Sequence, residues 1–416
     1  MKVRRSRRLT AIVAIALTTT LGLAACRGSA PQPGPTGAAD TQSASKADIT
    51  IGGSFPFSGP LAVFGSLSAG LNSYLGMIND QGGVNGRKIT YTPIDDGYDP
   101  SRLASNARKL VEQDKVLALV SFGGTNLTIR DYMKSRGVPQ FVMAGNSPLS
   151  DIKTYPTTRA WWPDIHLEGA ITARVVLSKN AGAKVGTLAL NNDLSKSLIE
   201  GVKGGLGAKA NQLISEQTFE PGQTDLSGQI NNLKAAGVDT VIGGVSGTQG
   251  SSALKYMSQI GYTPTFFNYS NSASRLAFAD PAGPAAVGVY TVQWLKDPAD
   301  PQWANEAWLK KYKDAVSKYG NGAKSDDLSV LNGYAFGEAL VKALSGMSKP
   351  TQEGLLEAWG KIKDQTSDAL VPGVKLSIGP DGRLIHSYSL ARYDGKSWVL
   401  QGKVIDAIAE GLMDVR

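Results

Sequence analysis

Regular alternation of strand-like and helix-like segments is the feature that most constrains the fold of this 416-residue chain. The apolar segment 48–55 predicts a buried strand. Leu67, Leu71 and Leu75 follow it at the spacing of one helix face. The same alternation continues to about residue 144. It predicts a mostly parallel sheet with helices on both faces.

The alternation starts again after Asp164 and predicts a second unit of the same kind. Its predicted elements are helices at 165–179, 194–206, 225–236 and 249–260 and strands at 184–190, 212–219 and 240–243. A helix-rich section follows at about 301–361. The tail carries strand signals at 374–378, 387–393 and 398–401, with Asp394-Gly395 as a hairpin turn. The predicted fold class is therefore α/β, with two doubly wound lobes.

The N-terminus has the pattern of an export signal. Residues 1–8 hold five basic side chains and no acidic one, and residues 9–25 are apolar apart from four threonines. A charged start, a short apolar core and a small-residue end predict a signal peptide over 1–25. A transmembrane anchor is the alternative, although these 17 residues are fewer than the roughly 20 that a span needs. The Arg4-Arg5 and Arg7-Arg8 pairs leave both general secretion and twin-arginine export open.

Cys26 is the only cysteine and cannot form an internal disulfide. The sequence Leu23-Ala24-Ala25-Cys26 resembles a bacterial lipoprotein box, which implies that Cys26 becomes the lipid-modified first residue of the mature protein. An accidental cysteine near the cleavage site is the alternative. The proline-, glycine- and serine-rich remainder of 26–47 has almost no large apolar residue and predicts a disordered tether.

The net charge of +8 does not indicate a nucleic-acid partner. Five of the 43 basic residues and none of the 35 acidic residues precede Cys26, so the mature chain carries 38 basic and 35 acidic residues, a net charge of +3. There is no lysine or arginine run after Arg8. This balance predicts a protein without a polyanionic partner.

Several short motifs occur in a fixed order along the body of the chain. They are the segments 58–60 (SGP), 79–86 (NDQGGVNG), 95–100 (DDGYDP), 109–114 (KLVEQD), 137–139 (GVP), 204–207 (GGLG) and 233–239 (LKAAGVD). In these motifs the chain resembles the branched-chain amino-acid binding protein family, the type I periplasmic binding proteins, over 48–406. Residues 96–139 resemble a branch associated with transport of organic acids, aromatic acids among them.

The resemblance implies two lobes joined by a hinge in which the chain crosses three times. Lobe one is expected to contain 48–163 and 294–371, and lobe two 164–293 and 372–406. A ligand is expected between the lobes, where a hinge motion closes over it.

In lobe one, the resemblance places ligand loops after two strands. They contain Gly123, Gly124 and Thr125, then Ala144, Gly145 and Asn146. Glycine lets the backbone approach a ligand, and free N–H groups at a helix start favour a carboxylate. A plain helix cap at Thr125 and a turn asparagine at Asn146 are the alternatives.

Aromatic residues are the second group of candidates. Phe64 falls where the family often places an aromatic side chain over the ligand, and Trp161 and Trp162 lie at the first predicted crossing. An indole supplies a large rigid contact surface. Packing in the core or in the hinge is the alternative for each.

From lobe two, the resemblance implies contributions by Asp193, Ser197, Ser246 and Ser270. Amino-acid binders of the family tend to carry an acid near the last position, but Tyr269-Ser270-Asn271 contains none. An α-amino group would then need Asp193 or another acid.

The function implied by the resemblance is that of an extracytoplasmic solute-binding protein of an ABC importer, lipid-anchored to the cell membrane and monomeric. It would capture an amino acid or a small carboxylate, an aromatic one included, and deliver it to permease subunits. A ligand-sensing receptor of the same fold and an enzyme such as a dehydrogenase are the alternatives. Enzyme motifs are absent: there is no nucleophile elbow and no phosphate-binding loop, and His166 and His386 form no zinc signature. No metal and no cofactor is expected.

Overall fold

Two β-sheets, each covered by helices, organise the part of the chain that the structure describes. The computed structural model describes residues 48–413 apart from Pro60, Pro221 and Ser246. The predictions for the signal peptide, Cys26, the tether and Ser246 therefore lie outside the described residues. The strands are β1 (Ile49–Phe55), β2 (Ile89–Asp95), β3 (Ala118–Phe122), β4 (Gln140–Met143), β5 (Thr158–Ala160), β6 (Val185–Leu190), β7 (Leu213–Phe219), β8 (Thr240–Gly244), β9 (Thr265–Asn268), β10 (Tyr290–Gln293), β11 (Ser387–Tyr393) and β12 (Trp398–Asp406). The helices are α1 (Ser66–Asp80), α2 (Pro100–Arg108), α3 (Arg130–Arg136), α4 (Ile165–Lys179), α5 (Asp193–Leu206), α6 (Ser227–Ala235), α7 (Gly247–Gln259), α8 (Asp280–Ala282), α9 (Ala307–Tyr319), α10 (Leu328–Ser345) and α11 (Gln352–Trp359).

The first sheet is fully parallel and has the order β2-β1-β3-β4-β5. Its central strand β3 is buried along its whole length, as expected for a parallel strand covered on both faces. Val120 packs in the core beneath α1 and α10, whereas its neighbour Leu119 packs with α2 and α3 on the opposite face. Because successive side chains point to opposite faces and helices cover both faces, the whole strand is a continuous apolar run.

The second sheet has the order β12-β11-β10-β9-β8-β6-β7. Strands β6 to β10 are parallel, and the tail adds β11 and β12 antiparallel at one edge. Ile242 packs towards α4 and α5, and Val241 packs on the other face. Two α/β lobes result, which confirms the predicted fold class.

Glycine sets the distance between α1 and α10 in the first lobe. A Cβ placed on Gly333 would lie 1.9 Å from the carbonyl oxygen of Leu67, and one on Gly70 would lie 1.9 Å from that of Val330. Any side chain at either position would push these two helices apart.

The chain passes between the sheets three times: after β5, after β10 and before β11. The second and third passages pair with each other, because the Val371 N–H donates to the Trp294 carbonyl (3.1 Å) and the Lys296 N–H to that of Ala369 (2.9 Å). This connection agrees with a three-crossing hinge. The residue bounds of the two lobes stay a prediction.

Several short segments differ from what the sequence pattern indicates. The segment 374–378 forms no strand and makes only an isolated bridge from Leu376 to Gln365, since Pro372 and Gly373 interrupt the chain before it. The helical segment after β3 opens as a 3₁₀ turn, Gly124–Ile129, before α3 begins. Strands β5, β9 and β10 have only three or four residues, too few to give a periodic signal. Within 48–413, no helix has the length and apolarity needed to cross a membrane.

Candidate functional site

The carboxyl ends of the strands in the two sheets meet around the first crossing. The Ile165 N–H, at the start of α4, donates to the Gly145 carbonyl at the end of β4 (3.0 Å). The Asp164 carboxylate accepts from the hydroxyls of Ser147 (2.7 Å) and Ser150 (2.9 Å). These contacts place the loops after the strands of lobe one next to the start of lobe two. An interlobe cleft bordered by strand-end loops is the usual ligand site of open α/β sheets.

The structure brings the two predicted ligand loops of lobe one together. Gly123 has a φ of +84°, and a Cβ there would lie 2.4 Å from the Tyr98 ring, so only glycine fits. A Cβ on Gly124 would lie 3.1 Å from Asn146 Nδ2, which shows that the Asn146 amide sits directly against the Gly124 backbone. The predicted convergence of these loops therefore has a geometric basis.

Thr125 and Ala144 differ in whether their polar groups already have hydrogen-bond partners. No side chain caps the turn that begins at Gly124, so the alternative role of Thr125 as a plain helix cap has no support in the structure. Thr125 is half-buried, and its hydroxyl makes no hydrogen bond within the described part of the chain. The Ala144 carbonyl, in contrast, already accepts from the buried guanidinium of Arg383 (3.2 Å).

An aromatic wall, formed by Phe64, Tyr98, Phe122 and Trp162, lies beside these loops. Phe64 stacks on Phe122 with the ring centroids 4.5 Å apart, and Trp162 meets Phe122 edge-on at 5.8 Å. Tyr98 lies 5.9 Å from Phe122. Sequence reasoning proposed Phe64 and Trp162 but missed Tyr98 and Phe122. The position of Phe122, immediately before the glycines at a strand end, was the available signal.

Trp161 is a correction to the predicted site. It has no exposed surface and packs against Trp294 and Phe336 in the core, with ring centroids 5.7 and 5.5 Å away. Its indole N–H donates to Asn332 Oδ1 (2.8 Å), the same atom that accepts from Trp162 (3.0 Å). Of the two indoles, only that of Trp162 contacts the rings of the aromatic wall.

Ser270 is engaged by an acid that sequence reasoning missed. Its N–H and hydroxyl both donate to the Glu168 carboxylate, at 2.5 and 2.8 Å. Burial raises the pKa of Glu168 to about 7, against the lowering effect of the two Ser270 hydrogen bonds. Glu168 lies 102 positions away on α4, and nothing in the local sequence marks it. An acid therefore does lie beside Ser270, and each of its oxygens accepts one hydrogen bond from that residue.

Asp193 and Ser197 do not line the recess at the strand ends of lobe two. The Asp193 side chain is 90% exposed and pairs with Lys196 (3.1 Å), and Ser197 lies one turn further along α5. Asn192 and Ser195 border this recess instead. It has about 60 Å³ of space for water-sized groups and is also lined by Ile165, Leu190, Leu194, Leu198, Gly244, Gln249 and Tyr269. The polar side chains that border this recess therefore lie one or two positions away from those predicted, and a contact of Asp193 or Ser197 with a ligand stays a prediction.

Asp95 holds the turn after β2. It accepts from the Phe57 N–H (2.8 Å), the Ser58 hydroxyl (2.6 Å) and Arg102 (2.7 Å). The Ser58 hydrogen bond, with that from Arg102, holds the pKa of Asp95 well below its usual range, although burial opposes the shift. Among the described residues, no group of His, Cys, Asp and Glu side chains is arranged to hold a metal ion.

Two doubly wound lobes, a three-crossing hinge and a cleft between strand-end loops define a two-lobed ligand-binding protein. The chain belongs to the periplasmic binding protein family, whose model matches residues 48–397. This is a family of substrate-binding proteins that work outside the cytoplasm, and not a family of enzymes.

Curated relatives and solved structures agree with this membership. The Leu/Ile/Val-binding protein homolog 1 of Brucella abortus is 26% identical over 275 residues, which are 64% of this chain and 72% of the relative. A branched-chain amino acid ABC transporter protein from Thermus thermophilus, solved with bound valine, has a TM-score of 0.76 at 16% identity and covers 87% of this chain and 97% of its own. A solute-binding protein of an ABC transporter from R. palustris, solved with benzoate, has a TM-score of 0.69 at 17% identity and covers 85% of this chain and 96% of its own.

Proposed function

We propose that this protein is the solute-binding component of an ABC importer and that it captures a small carboxylate with an apolar, preferably aromatic, body. The observation that carries the proposal is the position of the aromatic wall beside the Gly123–Thr125 loop and the Asn146 amide. Backbone and side-chain N–H donors suit a carboxylate, and the rings suit the remainder of the ligand. The relatives solved with valine and with benzoate, both carboxylates, support this ligand class.

The cleft offers little to an α-amino group. Glu168 is buried and accepts two hydrogen bonds from Ser270. Asp297 is also buried and accepts from the N–H groups of Arg275 (2.5 Å) and Ala299 (3.0 Å). Burial also raises the pKa of Glu168 to about 7 and that of Asp297 to about 6, which favours their neutral forms and weakens pairing with an ammonium, so a carboxylate without an α-amino group is the preferred ligand.

The remaining parts of the proposal concern delivery. Export by the signal at 1–25 and lipidation at Cys26 would hold the protein at the outer face of a membrane through the tether. Ligand binding would favour the closed arrangement of the lobes by its preference for that state. The closed monomer would then dock on permease subunits.

A thermal-shift screen of carboxylates, amino acids and amides tests the capture of a ligand, followed by calorimetric titration of the best probe. A ligand at about 100 times its Kd stabilises the folded state by about 2.7 kcal/mol, which is easily measured. Asn146→Ala should weaken binding about tenfold, the value of one hydrogen bond to a charged group. Asn211→Ala, at an exposed asparagine, is the matched control.

The outcomes are separable. Unchanged affinity in Asn146→Ala removes that residue from the site, and a screen in which no carboxylate raises the melting temperature refutes carboxylate capture. Uptake of the labelled probe by cells with and without the protein tests the importer role. Tight binding without any contribution to uptake would favour the sensing role instead.

A further inference from the structure

A second polar recess lies between the lobes, next to the second crossing. It has about 20 Å³ of space for water-sized groups, enough for a single hydroxyl or amide group, and combines residues from both lobes. The loop after β9 supplies Ser270 and Asn271, the end of β10 supplies Gln293, and α10 supplies Asn332. We call this space the hinge recess.

Two buried amides in the hinge recess have unused hydrogen-bonding groups. Gln293 is 7% exposed, and its side chain has no hydrogen-bond partner among the residues that the structure describes. Asn332 is 4% exposed; its Oδ1 accepts from both crossing indoles, and its Nδ2 has no partner within the same residues. Neither amide is fully enclosed by the chain, so a water molecule or a ligand group that enters the hinge recess can supply the missing hydrogen bonds.

The charges around the hinge recess select the kind of partner. Asp297 lines it, and Glu168 lies directly behind Ser270. Two buried carboxyl groups disfavour a further anion nearby. The amides supply both donors and an acceptor, which matches a neutral group that can donate and accept, such as a hydroxyl or a carboxamide.

The hinge recess and the aromatic wall are linked through one side chain. Trp162 connects them: its ring centroid lies 6.3 Å from that of Phe64, and its Nε1 lies 3.0 Å from Asn332 Oδ1. A carboxylate held at Gly124 and Asn146 with its body along the wall would therefore direct its far end towards Asn332 and Gln293.

We propose that the hinge recess is a polar subsite that binds a hydroxyl or carboxamide at the end of the ligand remote from its carboxylate. Gln293 and Asn332 are its specificity-determining residues. This inference rests on the proposed function, since it assigns the second half of the same ligand. The preferred substrate class becomes the ω-hydroxylated or ω-amidated carboxylic acids rather than plain hydrocarbon acids.

Matched probe pairs test the subsite by isothermal titration calorimetry. The pairs are phenylacetate with 4-hydroxyphenylacetate and hexanoate with 6-hydroxyhexanoate, and adipate supplies a second carboxylate in place of the hydroxyl. The hydroxylated member of each pair should bind at least about tenfold more tightly, and adipate more weakly than 6-hydroxyhexanoate. Gln293→Met keeps the side-chain length and should remove most of the hydroxyl preference, whereas the exposed Gln259→Met should retain it.

The results distinguish the subsite from the proposed function. Equal affinities within both pairs, or a preference that survives in Gln293→Met, overturn the subsite while carboxylate capture stands. Adipate binding as tightly as 6-hydroxyhexanoate overturns the preference for a neutral group. If no carboxylate binds at all, both proposals fail. Should Gln293→Met not fold, a wild-type crystal structure with 6-hydroxyhexanoate decides, because the hydroxyl must lie within hydrogen-bonding distance of Gln293 or Asn332.

Discussion

Replacing Arg383 by methionine tests whether the third crossing holds the ligand loop in place. The Arg383 guanidinium has no exposed surface and donates to the carbonyls of Asn146 (2.8 Å) and Trp162 and to the Ser150 hydroxyl (2.9 Å). It also lies 3.6 Å from the Asp164 carboxylate and 3.7 Å from that of Asp381. A single side chain from the third crossing therefore ties the loop after β4 to the first crossing.

The expected cost follows from the charges that remain. Burial raises the pKa of Asp381, but the hydrogen bond from His386 and the charge of Arg383 outweigh it and lower the pKa overall. Methionine fills the space of the stem but leaves three carbonyls without their donor and two largely buried carboxylates without the neighbouring cation. Breaking a buried ion pair in this way costs about 3–5 kcal/mol. At roughly 2 cal/mol/K of unfolding entropy per residue, a loss of about 4 kcal/mol lowers the Tm by about 5 °C.

Thermal unfolding followed by circular dichroism measures this loss, and titration of the best probe measures the effect on binding. Arg174→Met, at an exposed arginine of α4, is the control and should change stability by no more than about 0.5 kcal/mol. The Arg383→Met variant should also bind its probe more weakly than the control, because the Asn146 carbonyl loses its anchor. A loss of stability below about 1 kcal/mol with unchanged affinity would show that the reasoning about this buried cation is wrong.

Two further predictions concern stability. The pKa of Glu168 is raised to about 7 in the folded protein, so the folded state holds this proton more tightly than the unfolded state. The resulting contribution to the free energy of unfolding is fully present below the unfolded pKa and is lost as the pH rises through 7. Relative to wild type, Glu168→Gln should therefore become more stable by up to about 3 kcal/mol between pH 4.5 and pH 8, and a pH-independent difference in urea unfolding would contradict this. Gly333→Ala places a methyl group 1.9 Å from the Leu67 carbonyl oxygen and should destabilise the protein by about 1–3 kcal/mol. Gly228→Ala, with open space around its Cβ, is the control and should have little effect. Equal unfolding midpoints of the two variants would contradict the close packing of α1 and α10.

Local patterns predicted most of the regular structure. Helix α4 and strand β11 have the predicted bounds, because the apolar spacing of each is long enough to define a period. The wrong prediction at 374–378 and the missed strands β5, β9 and β10 involve segments of five residues or fewer. Such short segments are decided by the neighbours that they pair with and not by their own composition.

The candidate site was predictable where a local backbone feature marks it. The glycines at 123 and 124 signalled a strand end with close backbone approach, and the structure places both beside Tyr98 and Asn146. Helix phase was less reliable, since Asn192 and Ser195 border the lobe-two recess in place of Asp193 and Ser197. A one-residue error in phase turns a polar side chain from the cleft to the solvent.

The sequence by itself determined the class of fold, the order of the elements and the family, because hydrophobic periodicity and turn motifs are properties of neighbouring residues. Only the tertiary structure decided which polar groups are buried together. Arg383 reaches the Ala144 carbonyl across 239 positions, and Glu168 reaches Ser270 across 102. The same holds for Trp161 and Trp162, adjacent in the chain but directed into the core and towards the cleft. Such contacts form only after the two sheets and the three crossings have taken their places, so no local pattern carries them.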